Sequence, residues 1–158
     1  MFSFPRTVNE KAARVVAGGV ATIALVALIA SAQWLLIGLA LGFWARVLTG
    51  PKLSPLALLA TRVVAPRLGP PKEVSGPPKR FAQAMGATIT TAGSVLWLLG
   101  LDTGADVLLA ALVVAATLES VFAYCLGCQI FGLLMRAGVV PDEVCAECAD
   151  IWARPSRA

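Results

Sequence analysis

Residues 15–48 read VVAGGVATIALVALIASAQWLLIGLALGFWARVL, and Arg46 is the only charge among them. As a single helix at 1.5 Å per residue this run would be roughly 50 Å long, whereas the hydrocarbon core of a bilayer is about 30 Å thick. The run must therefore fold back on itself. Polarity rises at Ser31-Ala32-Gln33-Trp34, and an interfacial Trp suits a turn there. This stretch predicts two short helices, at 15–31 and 34–48.

The composition of the whole chain favours lipid as its solvent. Of 158 residues, 58% are hydrophobic and 14% are charged, with a mean hydropathy of +0.81, whereas soluble domains are about half apolar and a quarter charged. Histidine is absent, which excludes Ser-His-Asp catalysis, HExxH zinc sites and His-ligated haem. The net charge of +4 comes with one Tyr and no basic run interleaved with aromatics, so no nucleic-acid partner is predicted.

Two further apolar runs predict spans at 81–101 and 107–128, joined by a polar turn that starts at Asp102. Before them, residues 50–80 form a loop rich in proline and basic residues. Ser54 and Pro55 there can cap and start a helix. Its Leu56, Leu59 and Val63 share one face, which suits a helix lying on a membrane or one packed on the protein.

The predicted fold class is therefore all-α. Residues 1–138 form an integral membrane four-helix bundle with an interfacial amphipathic helix between spans two and three. Residues 139–158 form a cytoplasmic tail, with a short helix beginning near Pro141.

The basic residues predict the orientation of this bundle. They precede span one, lie between the end of span two and the start of span three, or follow span four, while the other two connections carry no Lys or Arg. The positive-inside rule then places both termini in the cytoplasm. A rival interpretation makes residues 6–29 a signal peptide, with a cleavage motif at Ala30-Ser31-Ala32.

All four cysteines fall in two CxxC pairs, Cys125/Cys128 and Cys145/Cys148. This spacing is typical of a four-cysteine zinc site, and it also fits dithiols that carry out redox or sulfur-transfer chemistry. Four buried cysteines without chemistry are the third interpretation. If span four is one continuous helix, the first pair lies at its C-terminal end, where the helix dipole raises thiol pKa values. Cys145, in the first turn of the tail helix, is then the better nucleophile.

Glu119 is the only acidic residue inside a predicted span, which makes it a functional candidate. Two hypotheses apply to it: a proton relay, or a carboxyl group bonded to a hydroxyl such as Thr90, Thr91 or Ser94. Separately, Gly38-x-x-x-Gly42 matches the close-packing motif of membrane helices. It would serve packing within the chain or a homodimer.

Several motifs in order carry a family resemblance. They are Val8-Asn9-Glu10, GPKLSPL at 50–56, APRLGPP at 65–71, PKRFAQ at 78–83 and FAYCLGC at 122–128. Together they resemble the bacterial domain-of-unknown-function 4395 family, over nearly the whole chain to Met135. The resemblance implies a small protein of the bacterial plasma membrane, with thioredoxin-like or sulfurtransferase proteins as partners.

The first functional hypothesis is thus a membrane protein that uses Cys125, Cys128, Cys145 and Cys148 at the cytoplasmic face. It would exchange disulfide or persulfide with such a partner, with Glu119 as a proton relay. The second is a noncatalytic anchor or scaffold with a four-cysteine zinc site. The third is a quinone-linked thiol oxidoreductase. Zinc and a quinone are the cofactors that these alternatives imply.

Overall fold

The structure is a computed structural model, and it describes residues 5–144. Nearly all of it is helical, as predicted, with one pair of short strands. The elements in chain order are β1 (Thr7–Asn9), α1 (Glu10–Ile29), α2 (Leu35–Thr49), α3 (Pro55–Leu59), β2 (Glu73–Ser75), α4 (Gly76–Leu98), α5 (Asp102–Phe122) and α6 (Leu126–Arg136). Irregular turns of 3-10 or π helix occupy Gly50–Lys52, Ala60–Val64, Ala65–Leu68 and Asp142–Val144.

The helical hairpin predicted from residues 15–48 is confirmed. α1 ends at Ile29 and α2 begins at Leu35, and Ser31 between them has a positive φ of 50°. α4 and α5 are joined in the same way by a short turn, with Gly100 at φ 74°. Both turns lie within a few residues of their predicted positions.

The four long helices pack side by side, α1 against α5, α5 against α4, and α4 against α2. Small and branched residues fill the space between them, including Ala24, Leu36, Ala87 and Leu109, each with no exposed surface. Large apolar side chains cover much of the outside, for example Ile29, Leu41 and Leu98. Among the described residues, α1 and α5 are long and apolar enough to cross a membrane, with mean hydropathies of 2.1 and 2.0.

The chain builds its two halves on the same plan, a feature that the sequence analysis does not anticipate. Each half, residues 7–64 and residues 73–136, consists of a short strand, two long antiparallel helices and a short capped helix. The two strands pair antiparallel about their central residues, Val8 and Val74, which is the pairing that two halves related by a two-fold rotation would make. Leu36 on α2 and Leu109 on α5 are both fully buried, so the second helices sit at matching depths.

The halves also stabilise each other's helix ends in the same way. Arg14 of α1 donates from Nε to the carbonyl oxygen of Ser120 at the end of α5, at 3.0 Å. Arg80 of α4 donates from Nε to the carbonyl oxygen of Val47 at the end of α2, at 3.1 Å. Each arginine therefore pairs with free carbonyls at a helix C-terminus, which also carries partial negative charge.

The prediction of a fourth helical span over 107–128 is wrong at its end. α5 stops at Phe122, because Ala123 adopts the left-handed conformation with φ 55° and its N–H bonds back to the Leu118 carbonyl. Tyr124 N–H bonds to the same carbonyl at 3.1 Å. A new helix, α6, then starts at Leu126.

The amphipathic segment exists, and small residues form its buried face. Ser54 caps α3 as expected, its side chain accepting from the Ala57 N–H. Ala57 and Ala60 are the buried residues of the segment, and the segment packs on α1. Leu59 and Val63 are exposed. The segment therefore packs on protein with its small residues while presenting larger apolar ones outward.

Candidate functional site

The first CxxC pair lies at the start of a helix. Cys125 is the N-cap of α6, with extended backbone angles of φ −90° and ψ 104°, and its carbonyl oxygen accepts the Gln129 N–H at 3.1 Å. Cys128 is the third residue of that helix. The expectation that this pair lies at a helix C-terminus is therefore wrong. The positive end of the α6 dipole faces the Cys125 sulfur, which favours the thiolate.

Close packing against α4 fixes this helix start. A Cβ on Gly127 would lie 2.5 Å from the Cα of Ala82, so only glycine permits the approach. Further along α6, the ring of Phe131 packs on that of Phe81, with centroids 5.7 Å apart. The N-terminus of α6 is thus held against α4 rather than left as a loop.

A buried ion pair lies beside the thiols. Lys79 Nζ donates to Glu119 Oε1 at 2.6 Å, and the two side chains are only 11% and 15% exposed. Glu119 therefore has an ammonium partner, and the hypothesis that it bonds a hydroxyl is wrong. Thr90 and Ser94 donate to carbonyls of their own helix, and Thr91 accepts from the indole of Trp44.

Sequence reasoning missed Lys79 because the PKR motif at 78–80 was assigned to the loop before span three. In the structure it falls in the first turn of α4. The sequence did contain a signal for Lys79. A carboxylate within an apolar helix, such as Glu119, requires a cation, and Lys79 lies just before the neighbouring predicted span at 81–101.

The two thiols have divergent acidities. A hydrogen bond from Cys128 is the largest effect on Cys125 and lowers its pKa; Lys79 acts in the same direction, while burial and Glu119 oppose it without reversing the result. The same bond, with burial, raises the pKa of Cys128 far above the ordinary value. Because Cys125 also lies at the helix N-terminus, it is the more readily deprotonated thiol of the pair.

A cavity of about 260 Å³ adjoins Cys125 between α1, α4, α5 and α6. Its walls are mostly alanine, valine and other apolar side chains, and the polar groups that line it include Gln83, Glu119 and the Cys125 thiol. An apolar chamber with a few convergent polar groups is the usual form of a small-molecule site.

Cys125 and Cys128 are both free thiols. Within residues 5–144 no group of three or more His, Cys, Asp or Glu side chains converges on a common point. A four-cysteine zinc site would need Cys145 and Cys148 as well, and these two residues and most of the predicted tail helix lie outside the described residues.

The glycine motif of α2 is not used for packing within the described chain. A Cβ on Gly38 would meet nothing within 4 Å, and one on Gly42 would meet the side chain of Arg46. Both glycines line an open cavity of about 540 Å³ beside α3. The homodimer through Gly38 and Gly42 stays a prediction.

The fold and site together define a small helical protein with a dithiol at the N-terminus of a short helix. Residues 8–136 match a family model described as a domain of unknown function (DUF4395), and the chain belongs to this family. No curated protein and no solved structure matches the chain.

Proposed function

We propose that this chain is a membrane-embedded dithiol protein that exchanges disulfide bonds or sulfane sulfur with a soluble thioredoxin-like or sulfurtransferase partner. The observation that carries the proposal is the position of Cys125. It occupies the N-cap position of a helix beside a buried Lys79–Glu119 pair, with Cys128 one helical turn further on. This combination is typical of a reactive dithiol.

The exchange proceeds in two substitutions at sulfur. The Cys125 thiolate attacks one sulfur of a partner disulfide, forming a Cys125–partner mixed disulfide and expelling the other partner sulfur as a thiolate that takes up a proton. Cys128 then loses its proton and attacks the Cys125 sulfur, which releases the second partner thiolate. The partner gains two electrons and two protons, and the pair becomes a Cys125–Cys128 disulfide.

Sulfur transfer uses the first step alone. The Cys125 thiolate attacks the terminal sulfur of a partner persulfide, becomes the persulfide itself and leaves the partner as a thiolate. In both cases Lys79 stabilises the Cys125 thiolate, and Glu119 holds the ammonium in place by its 2.6 Å bond.

The bilayer setting draws support from the outer surface of the helices. α1 and α5 meet the length and hydropathy of a membrane span, and exposed large apolar residues continue over α2 and α4, among them Leu41, Trp44 and Val95. The basic residues lie before α1 or in its first two turns, between the last turn of α2 and the first two turns of α4, or from Arg136, the last residue of α6, onward. In the proposed topology the thiols therefore face the cytoplasm, where disulfides are transient.

Trapping of a covalent intermediate on Cys125 tests the proposed exchange with a partner. Cys128→Ser removes the resolving thiol, so it should accumulate a mixed disulfide or persulfide on Cys125, seen by intact mass after incubation with an oxidised thioredoxin-like protein. Cys125→Ser is the matched control and should accumulate nothing at this pair. Capture by Cys125→Ser at Cys128, with none by Cys128→Ser, would overturn the assignment of roles.

A topology experiment tests the bilayer setting. In a variant with all four cysteines changed to Ser, single reporters at Arg67→Cys and Thr103→Cys both occupy exposed positions. We expect an impermeant maleimide added outside intact cells to label position 103 and not position 67. Labelling of position 67 from outside would place the thiols in the oxidising compartment.

The cavity at Cys125 favours one second candidate, a quinone-linked thiol oxidoreductase. Its apolar walls and volume of about 260 Å³ suit a lipid-soluble ring, and the Cys125 thiol lines it directly. A quinone bound there would accept the two electrons and two protons of the dithiol. Oxidation of the purified dithiol by a short-chain ubiquinone, lost in Ala115→Phe at the cavity wall, would favour this candidate over a protein partner.

A further inference from the structure

The cavity at Cys125 extends away from the thiol along the inside of the bundle. On α5 its wall runs from Glu119 back to Ala111, and on α4 it runs from Ala82 to Ile89. Eight helical residues correspond to about 12 Å. Because Glu119 is near the end of α5 and Ala111 is near its middle, the cavity leads from the thiol towards the middle of the apolar helices.

The wall of this cavity reaches the outer surface of the protein between α5 and α6. α6 packs closely on α4 and much less on α5, which leaves a gap on that side. Leu126 and Ile130 of α6 and Ala111 of α5 all line the cavity, and all three are exposed. We call these three residues the mouth of the cavity. They are apolar, and in the bilayer setting they face acyl chains.

A second route to Cys125 would start from water. Ala13, Val16 and Gln83 line both this cavity and a neighbouring one of about 270 Å³ beside β1. These shared residues form the partition between the two cavities. Val16 is buried, and Gln83 is held in place because its Oε1 accepts from Arg46 Nε at 2.8 Å. The partition is thus packed, whereas the residues of the mouth are exposed.

We propose that neutral, lipid-soluble molecules that react with thiols reach Cys125 from the bilayer, through the mouth between α5 and α6. The inference rests on the bilayer setting of the proposed function and gives its site a class of small substrate. An apolar passage selects neutral molecules, because a charged one would lose its hydration there. Cys128 is the more exposed thiol and does not line the cavity, so it has no part in this route.

Reagent selectivity in nanodiscs tests the route in the full-length protein. One variant keeps Cys125 as its only cysteine and a second keeps Cys128, with Ser at the other three positions. Each reacts with N-phenylmaleimide and with a sulfonated maleimide, and intact mass gives the rates. In both reactions the sulfur adds to the C=C bond, the adjacent carbon takes up a proton, and no group leaves.

The ratio of the two rates cancels the thiolate fraction of each cysteine, because both reagents attack through the same group. We expect the preference for N-phenylmaleimide over the charged reagent to be about tenfold greater at Cys125 than at Cys128. Equal preferences at the two cysteines would overturn the proposal.

Variants of the cysteine-125 protein locate the entrance. Ala111→Phe obstructs the mouth and should slow N-phenylmaleimide about tenfold, while Ile130→Ala widens it and should speed the reaction; Ile130→Ala decides the matter if Ala111→Phe fails to fold. Ala110→Phe is the matched control, since Ala110 is also exposed on α5 but does not line the cavity. Thr61→Phe obstructs the neighbouring cavity beside β1. Both of these variants should react like the parent.

Slowing by Thr61→Phe, with no change in Ala111→Phe and Ile130→Ala, would show entry from water and overturn the proposal. That result would leave the trapping of a protein partner on Cys125 unaffected. Conversely, a failure to trap a partner would leave the reagent selectivity and its dependence on the mouth unchanged, so the two proposals fail separately.

Discussion

The two halves of the molecule place different side chains at the same structural position. In the first half α2 ends before Gly50, which has a positive φ, and Ser54 then caps α3. In the second half α5 ends before Ala123, again with a positive φ, and Cys125 is the N-cap of α6. One half thus offers a buried hydroxyl and the other a buried thiol at the start of a short helix.

The two halves also place opposite buried charges at equivalent positions. On α2, Arg46 immediately precedes Val47, whose carbonyl accepts from Arg80; on α5, Glu119 immediately precedes Ser120, whose carbonyl accepts from Arg14. Glu119 is paired with Lys79, whereas no carboxylate within residues 5–144 is bound to Arg46. The lesson is that a nearly symmetric scaffold carries different side chains at equivalent positions, and that within residues 5–144 the thiols belong to the second half.

The largest expected effect comes from making the two caps alike. Cys125→Ser should abolish partner capture at this pair, because a hydroxyl is not a sulfur nucleophile, while the free energy of unfolding changes by about 1 kcal/mol or less, since Ser is a good N-cap. Intact mass and chemical denaturation measure the two effects. Adding Ser54→Cys to Cys125→Ser should not restore capture, because position 54 lies beside Arg46 rather than Lys79 and, at 1% exposed, is less accessible than position 125 at 7%; restored capture would show that the halves are interchangeable.

The ion pair of the second half should be the largest single contributor to stability among these features. Lys79→Met leaves the Glu119 carboxylate buried without a partner and should cost about 3–5 kcal/mol of unfolding free energy. The double variant Lys79→Met, Glu119→Leu should cost much less than the sum of the two single changes. Lys52→Met, at an exposed lysine, is the control and should change stability by about 0.5 kcal/mol or less. Additive losses would mean that the two side chains act separately.

The two residues with positive φ that end α2 and α5 should differ in how substitution changes the free energy of unfolding. Gly50 has φ 65° with ψ −136°, a region that essentially only glycine occupies, so Gly50→Ala should cost about 1–3 kcal/mol. Ala123, at φ 55° and ψ 23°, is in the ordinary left-handed region, and Ala123→Gly should stabilise by about 0.5 kcal/mol. Urea denaturation of both variants checks the signs; loss of stability in Ala123→Gly would contradict the conformation assigned to the helix break.

The smallest effect concerns the pH dependence of thiol reactivity. Because the pKa of Cys125 is lowered, its thiolate persists below the pH at which an ordinary cysteine is protonated, and alkylation by iodoacetamide should reach half its maximal rate at a correspondingly lower pH. Lys79 lowers this pKa and Glu119 raises it, so Lys79→Gln should move the midpoint up and Glu119→Gln should move it down. The measurement is made with Cys145→Ser and Cys148→Ser present, and Cys125→Ser reports the background from Cys128. Shifts of the same sign in both variants would refute this electrostatic account.

The sequence predicted those features that follow from length and local composition. The hairpin of α1 and α2 follows because residues 15–48 are too long for one span, and the Ser54-Pro55 start of α3 follows from local capping chemistry. The break after Phe122 was not predictable in this way. Ala123 is neither Gly nor Pro, and the arginine that binds the end of α5 is Arg14, 106 residues earlier in the chain.

The site was predicted in part for the same reason. Cys125, Cys128 and Glu119 are recognisable from residue type and spacing alone, and the structure brings Glu119 and Cys125 to one cavity. The pairing of Lys79 with Glu119 depends on contacts between distant segments. So does the position of Cys125 at a helix N-terminus rather than at a C-terminus. Three-residue strands such as β1 and β2 are likewise too short to give a pattern of alternation.

The pairing of β1 with β2 has a consequence for synthesis on the ribosome. Residues 7–9 leave the exit tunnel long before their partners at 73–75, and Arg14 precedes the carbonyls that it binds by more than a hundred residues. The first hairpin is therefore made with an unpaired strand and an unsatisfied arginine, and both are satisfied only when the second hairpin arrives. A chain that stops before residue 73 would leave β1 unpaired and Arg14 without its carbonyl partners on α5.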